Sequence, residues 1–216
     1  AELQEAIPLE AADRLGVDPA KTQIRLIVAG DIRQGNEVRQ EIIVMAAAQS
    51  AIETQLNRLN ALGLIPLAID AAPCGLFRAF ERFLRRNEDV NQVNTLVDMG
   101  HSSSRVVMAR GSNITLIKTI PLGGQRFNEL VSEKLGLSVD DAARLRIRLH
   151  EYHVALLTGQ DPPVNEENDV GEKMRLATLD AIRPALEQLG KEVALCLRYC
   201  SVTFRGPRPE SVMVVG

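Results

Sequence analysis

Apolar positions along the chain alternate between two periods, and the switches between them divide it into short elements. Ala1–Leu15 reads as a short amphipathic helix punctuated by Pro8 and Gly16. Ile24–Ile32 and Glu37–Ala46 are rich in β-branched residues, and Arg33–Asn36 between them supplies turn chemistry around Gly35, which predicts a hairpin. Gln49–Leu62 carries Ile52, Leu56, Leu59 and Leu62 at helical spacing, with Gly63 as its cap. Ile65–Ile69 reads as a short strand. A helix then starts at Pro73, with Leu76, Phe77, Phe80, Phe83 and Leu84 along one face. The charged and polar run Arg85–Gln92 predicts a surface loop and a lobe boundary.

Three short strands follow, Asn94–Asp98, Arg105–Arg110 and Ile114–Ile120, the last two joined by Gly111-Ser112-Asn113; they predict one antiparallel sheet. Gly123-Gly124 breaks the run and Phe127–Leu135 begins a helix. Ser138 with Asp141 three residues on reads as an N-cap for the next one. Gly159–Asn168 has the composition of a solvated loop. Leu176–Val202 is helical, with Ile182, Leu186, Leu189, Val193, Leu197 and Cys200 as its apolar stripe and a kink or restart at Arg183-Pro184. Ser211–Gly216 is a final strand. Strands interleaved with helices make the fold class α/β.

Composition narrows the possibilities without deciding among them. Of 216 residues, 45% are hydrophobic and 25% charged, as in an ordinary globular protein. The net charge of −3 advertises no basic face for nucleic acid. The longest apolar run, Ile42–Ala48, is far too short to span a bilayer. The three cysteines, Cys74, Cys196 and Cys200, are an odd number without metal-type clustering, so they read as free thiols in a reducing compartment, the cytoplasm. Cys196 and Cys200 fit small core residues, and Cys74 a structural one. His150 and His153, three apart, lack a third histidine nearby and read as a surface helix. The chain opens without an initiating Met or a signal-peptide pattern, which predicts a fragment of something longer.

The stretch with the most chemistry is Asp98-Met99-Gly100-His101-Ser102-Ser103-Ser104. A buried strand delivers a carboxylate at its end, a glycine lets the backbone turn tightly, and three hydroxyl residues present donors together. Such an arrangement suits an anion, and Asp98 suits Mg²⁺ held through water. Taken alone, the pattern fits a strand ending in a tight polar turn better than it fits a binding loop.

Its context resembles the second half of the actin and DnaK chaperone ATPase core, where an Asp-x-Gly turn is the second phosphate loop. Closer still is the type IV pilus assembly protein PilM family. The resemblance rests on Val97-Asp98-Met99-Gly100 with Ser102-Ser103-Ser104, Ile120-Pro121-Leu122-Gly123-Gly124 with Phe127-Asn128-Glu129, and Leu135-Gly136-Leu137-Ser138 with Asp141-Ala142-Ala143-Arg144-Leu145-Arg146. Upstream, Leu59–Leu64 and Pro66–Asp70 are similar to that family's first lobe, so the likeness covers nearly the whole chain. It implies an actin-like, ribonuclease H-like α/β core of two lobes: residues 1–72 with a small strand-strand-helix-strand subdomain, a connecting helix over 73–90, and a second lobe over 91–216.

The resemblance also implies a cytoplasmic scaffold at the inner-membrane face, peripheral to the membrane, which binds ATP and Mg²⁺ and grips the cytoplasmic tail of a PilN-like inner-membrane protein. The phosphate contacts fall on Asp98, Gly100, Ser102, Ser103 and Ser104, with Asp98 toward the metal. Gly123, Gly124 and Gly216 are the nucleotide-side glycines, and Arg146 and Lys191 stand toward adenosine. An FtsA-like filament protein and a GspL-like secretion scaffold are alternatives within the fold. A small-molecule kinase of the same superfamily would need a catalytic acid for its substrate hydroxyl and a specific sugar pocket, and neither is evident. The family's first phosphate loop is not in this sequence, and Ala72, Ala143 and Arg146 replace the family's usual polar residue, Glu and Lys. Phosphoryl transfer needs both loops to clamp the nucleotide, so the expectation from this sequence is that ATP and Mg²⁺ bind weakly or not at all and that there is at most weak ATPase activity, with no assigned catalytic residue.

Overall fold

The structure, a computed structural model, describes residues 10, 12–82, 91–159, 172–204, 209 and 211–216. Most of the first predicted helix, Phe83 and Leu84, most of the charged loop before Asn91, and the loop following Gly159 lie outside these residues. The elements are β1 (Thr22–Gln34), β2 (Glu37–Ala48), α1 (Gln49–Ala61), α2 (Ala72–Glu81), β3 (Val93–Met99), β4 (Ser104–Arg110), β5 (Asn113–Ile120), α3 (Gly124–Leu135), α4 (Val139–Thr158), α5 (Glu172–Thr203) and β6 (Ser211–Val215). β1 and β2 form a two-stranded sheet, and the other strands form a four-stranded sheet in the order β5-β4-β3-β6. β3, β4 and β5 are neighbours joined by short turns, which requires the antiparallel arrangement expected from the sequence.

The chain divides into two compact units. The first comprises Ala1–Leu96, Val107–Ile117 and Tyr199–Met213. Its core is built by α2, whose Cys74 and Phe77 pack with Leu96, Val107, Ala109 and Ile114, and with Ile27, Ile43 and Met45 of the hairpin. Burial pushes the Cys74 thiol up, so it is a small apolar residue and not an activated nucleophile. The β1–β2 register slips between Val28 and Gly30, leaving buried Ala29 as a bulge residue. Phe204 packs on Gly30, which has φ +148°. α1 ends as its glycine predicts: Gly63 is left-handed at φ +72°, its N–H reaches Asn60 O at 2.9 Å, and Leu64 N–H reaches Leu59 O at 3.0 Å.

Between α1 and α2 the predicted strand Ile65–Ile69 is absent. These residues run outside any helix or strand, with Leu67 98% and Ile65 86% exposed. Pro66 removes one ladder donor, and no described strand lies alongside to pair with the rest.

The second unit comprises Val97–Val106, Lys118–Arg198 and Val214–Gly216. Val131 of α3, Ala142 and Leu145 of α4, and Ala181 of α5 form its helical core. The predicted cap of α4 is present, with Asp141 N–H donating to Ser138 Oγ at 3.1 Å and that hydroxyl donating to Asp141 Oδ2 at 2.6 Å. One alternative at Pro184 and one position of the α5 stripe need correcting. α5 runs through Pro184 as one helix without restarting. Of the expected stripe Leu189 and Cys200 are buried and Ile182, Val193 and Leu197 half-buried, while Leu186 is exposed; the small residues Thr178, Ala181, Ala185 and Cys196 complete the buried face. Small side chains let a helix sit close to its neighbours, so the larger apolar residues are displaced toward the rim.

Candidate functional site

Within the second unit, the end of β3, the start of β4 and the end of β5 lie at one edge of the sheet, because consecutive antiparallel strands reverse there. The loop 100–103 closes with Gly100 N–H donating to Ser103 O at 3.1 Å. Buried Ser104 then ties the loop to the end of β5, its Oγ donating to Leu122 O at 2.6 Å. α3 begins at Gly124, three residues earlier than the sequence pattern suggests, so Gly123 is its N-cap.

That early start is what builds the site. The first N–H groups of a helix lack intrahelical partners. Here Gly124 N–H donates to Gly100 O at 2.9 Å and Gln125 N–H to His101 O at 2.8 Å, stapling the loop to the helix. The approach tolerates no side chain: a Cβ on Gly123 would lie 2.5 Å from His101 O, 2.6 Å from Gly100 O and 2.7 Å from Ser103 N. With the Gly100 and His101 carbonyls committed to α3, the backbone N–H groups of His101, Ser102 and Ser103 and the hydroxyls of Ser102 and Ser103 have no protein partner among the described residues. His101 and Ser102 are exposed. Open donors grouped on a loop can receive an anion.

Asp98 is less open than the sequence suggests. Its Oδ2 accepts from Arg105 at 2.9 Å, and both side chains are partly buried. The ion pair occupies one carboxylate oxygen, so the donors of this loop fit a phosphate better than the carboxylate fits a bare cation. A metal ion held through water at the other oxygen remains compatible with it.

Beside the loop lies a cavity of about 270 Å³ lined by Met99, Gly124, Phe127, Arg146 and Val214–Gly216. Gly216 sits directly on the Met99 backbone, where a Cβ would overlap the Met99 carbonyl oxygen. Arg146 reaches across from α4, donating to Gly124 O at 3.0 Å and Asn128 Oδ1 at 2.5 Å, with its guanidinium 5.1 Å from the Phe127 ring centroid. Burial pulls its pKa down, while the acceptors and ring compensate the buried cation. The structure therefore brings together Asp98, Gly100, Ser102, Ser103, Ser104, Gly123, Gly124, Arg146 and Gly216. Lys191, also expected toward adenosine, is exposed on α5 and does not line this cavity. Phe127 and Asn128 stand in the motif that carried the resemblance but had no role assigned there, and Arg105 belongs to the site without any local pattern that marks it.

A second concavity, of about 500 Å³, lies within the first unit. Met45, Ala46 and Ala47 of β2, Ile52 and Leu56 of α1, and Pro66–Ala71 line it, with Gln23 and Arg25 of β1 at its polar side. It is continuous with the exposed Ile65–Ile69 segment.

A family model for the type IV pilus assembly protein PilM matches residues 25–157, more than half of the chain. The chain belongs to the PilM family. The match does not favour the FtsA-like and GspL-like alternatives, and it spans the loop and all of the groove lining but Gln23. Comparison with curated proteins found no match. Among solved structures, the chain is similar to one of a PilM-PilN type IV pilus biogenesis complex, with a TM-score of 0.69 and 23% identity over the whole chain. It spans 55% of the length of that PilM-PilN complex chain. A weaker likeness, TM-score 0.49 at 15% identity, covers 74% of this chain and 46% of the ethanolamine utilization protein EutJ from Carboxydothermus hydrogenoformans. The fold is the actin-like α/β fold expected from the sequence. No helix among the described residues is long and apolar enough to cross a membrane.

Proposed function

We propose that this PilM-family chain is a nucleotide-binding scaffold of the type IV pilus assembly platform, working at the cytoplasmic face of the inner membrane and holding the cytoplasmic tail of a PilN-like membrane protein. The observation that carries the reading is family membership, and the solved complex of PilM with PilN supplies the partner class. In this reading residues 1–72 are the partner-facing part, 73–90 the connecting helix and 91–216 the nucleotide-facing part.

Open donors on His101–Ser103 and the Gly100–Gly123 contact support placing the phosphates of ATP at the loop. The cavity beside Arg146 supports placing the base there. Asp98 would hold Mg²⁺ only through water, since Arg105 holds its other oxygen. Magnesium would balance phosphate charge, and the chain's own residues would orient and anchor the nucleotide. Scaffolding needs binding and not turnover, and no residue here is assigned a catalytic role.

For the tail, the groove between β2, α1 and Pro66–Ala71 offers what an extended peptide needs: an apolar floor, and main-chain groups not committed to a helix or strand. Its lip is testable because Leu67 is almost fully exposed, so Leu67→Asp should leave the fold intact. Titration of a PilN-like tail peptide against the protein and this variant is expected to show binding weakened by about tenfold or more, as for loss of an apolar anchor. Ser102→Ala is expected to leave peptide affinity unchanged. Equal binding by Leu67→Asp, or loss only with Ser102→Ala, would move the partner site away from the groove.

A further inference from the structure

The loop that gathers the open donors also has a negative charge at its base. Asp98 lies near the end of β3, two residues before Gly100, and two residues of strand span about 7 Å. A bare carboxylate at that distance repels a phosphate, and a divalent cation is the usual remedy. We propose that Arg105 supplies this counter-charge from within the chain, so that phosphate binding at the loop does not require Mg²⁺; the proposal rests on the nucleotide reading given above.

The pairing follows from the strand register. Gly100 N–H donates to Ser103 O at 3.1 Å and closes the loop. Asp98 and Arg105 each lie two residues outside that closure, so β3 and β4 set them opposite one another. Arg105 Nη1 donates to Asp98 Oδ2 at 2.9 Å. The side chains are 24% exposed for Asp98 and 35% for Arg105, so water screens the pair only in part. A guanidinium stays charged at any working pH, so this neutralisation is permanent, whereas that by a metal ion depends on the ion's concentration.

The other cations near the loop are committed elsewhere. On α3, Arg126 is paired with Glu129 and Glu133, at 3.1 and 3.4 Å. On α4, Arg146 is held by Gly124 O and Asn128 Oδ1. On β5, Lys118 is paired with Glu192 at 2.6 Å. Nor does Asp98 belong to a ligand cluster: among the described residues no three His, Cys, Asp or Glu side chains are grouped to hold a metal ion. With Oδ2 taken by Arg105, Asp98 offers Mg²⁺ one oxygen, through water. The ion would then travel with the phosphates and add little to their hold on the protein. Without Arg105 the balance reverses, because a free carboxylate both repels the metal-free anion and binds the metal.

The test is calorimetric titration of the full chain with ADP and, separately, with tripolyphosphate, each in excess Mg²⁺ and in EDTA. The native protein is compared with Arg105→Gln, Arg105→Lys and the double variant Asp98→Asn/Arg105→Gln. Native affinities in the two conditions are expected to agree within about threefold. Arg105→Gln should bind about tenfold or more weakly than the native protein in EDTA and recover most of that loss in Mg²⁺. The double variant, with neither charge, should again bind alike in both conditions. Arg105→Lys keeps the cation and should stay closer to the native pattern than Arg105→Gln does. The affinity of Mg²⁺ for the ligand itself is common to all four proteins and cancels in comparisons between them. An equal loss by Arg105→Gln with and without Mg²⁺ would give Arg105 a merely structural role and overturn the proposal, as would native binding that vanishes in EDTA. The expected pattern with tripolyphosphate but no binding of ADP keeps it and removes the nucleotide reading. Failure of both ligands to bind in either condition overturns both.

Discussion

Replacing Gly123 by alanine is expected to lower the melting temperature on the order of 10 °C and to abolish anion binding at the loop. The reason is contact and not backbone strain. Gly123 has φ −148°, an extended conformation open to any residue. The added methyl would instead lie 2.5 to 2.7 Å from three backbone atoms of the loop 100–103, none of which can swing aside as a side chain would. Overpacking of this kind costs about 3 kcal/mol. In a chain of this size each kcal/mol moves the midpoint by about 2–4 °C. Relieving the clash means pulling α3 away from Gly100 O and His101 O, which undoes the staple that leaves the loop's N–H groups open. Gly75→Ala is the control, because a Cβ there meets nothing within 4 Å and alanine is the better helix former. Thermal melts of the two variants should move in opposite directions. A Gly123→Ala protein melting within a degree or two of the native one would mean that loop and helix separate freely.

The second large effect belongs to Phe127. Its ring is 1% exposed and carries the Arg146 guanidinium on one face. Truncation to alanine removes a fully buried aromatic, worth about 3–5 kcal/mol. It also takes away the aromatic face of a half-buried cation, about another 1 kcal/mol. Phe127→Ala is therefore expected to lose about 4–6 kcal/mol in urea unfolding, while Phe127→Leu, which keeps most of the volume, loses about 1.5 kcal/mol. A loss below about 1 kcal/mol for the alanine variant would show that the cavity walls collapse to fill the space. The Arg146 clamp on α3 would then be weaker than its contacts indicate.

These two residues also show where sequence reading succeeds and where it stops. Gly123 is visible in the sequence as part of a glycine pair after a strand. Phe127 is visible as the start of a helical pattern and as part of a family motif, but not as a partner of Arg146. That α3 begins at Gly124, with its first N–H groups spent on Gly100 and His101, depends on contacts between segments some twenty residues apart, which no local periodicity records. The hairpin, the three-strand meander, the Gly63 terminus and the Ser138 cap were legible because each rests on neighbours in the chain. The α5 face was legible except at Leu186, but Ala181, Ala185 and Cys196 went unmarked in it, because their small size matters only once the neighbouring elements are in place. Ile65–Ile69 has strand composition but no paired neighbour among the described residues, since composition specifies a preference and pairing requires a partner. Arg105 and Asn128 carry ordinary polar side chains at ordinary positions, and only the fold turns them toward Asp98 and Arg146.

The central claim, that the loop after β3 is where a phosphate-bearing nucleotide binds, is tested most directly by following backbone amide resonances during a titration with Mg-ADP. The account predicts saturable shifts at His101, Ser102 and Ser103, whose N–H groups are open, together with Gly216 and the Arg146 side chain beside the cavity. Saturable shifts confined to other surfaces, with the 101–103 amides unmoved, would contradict it.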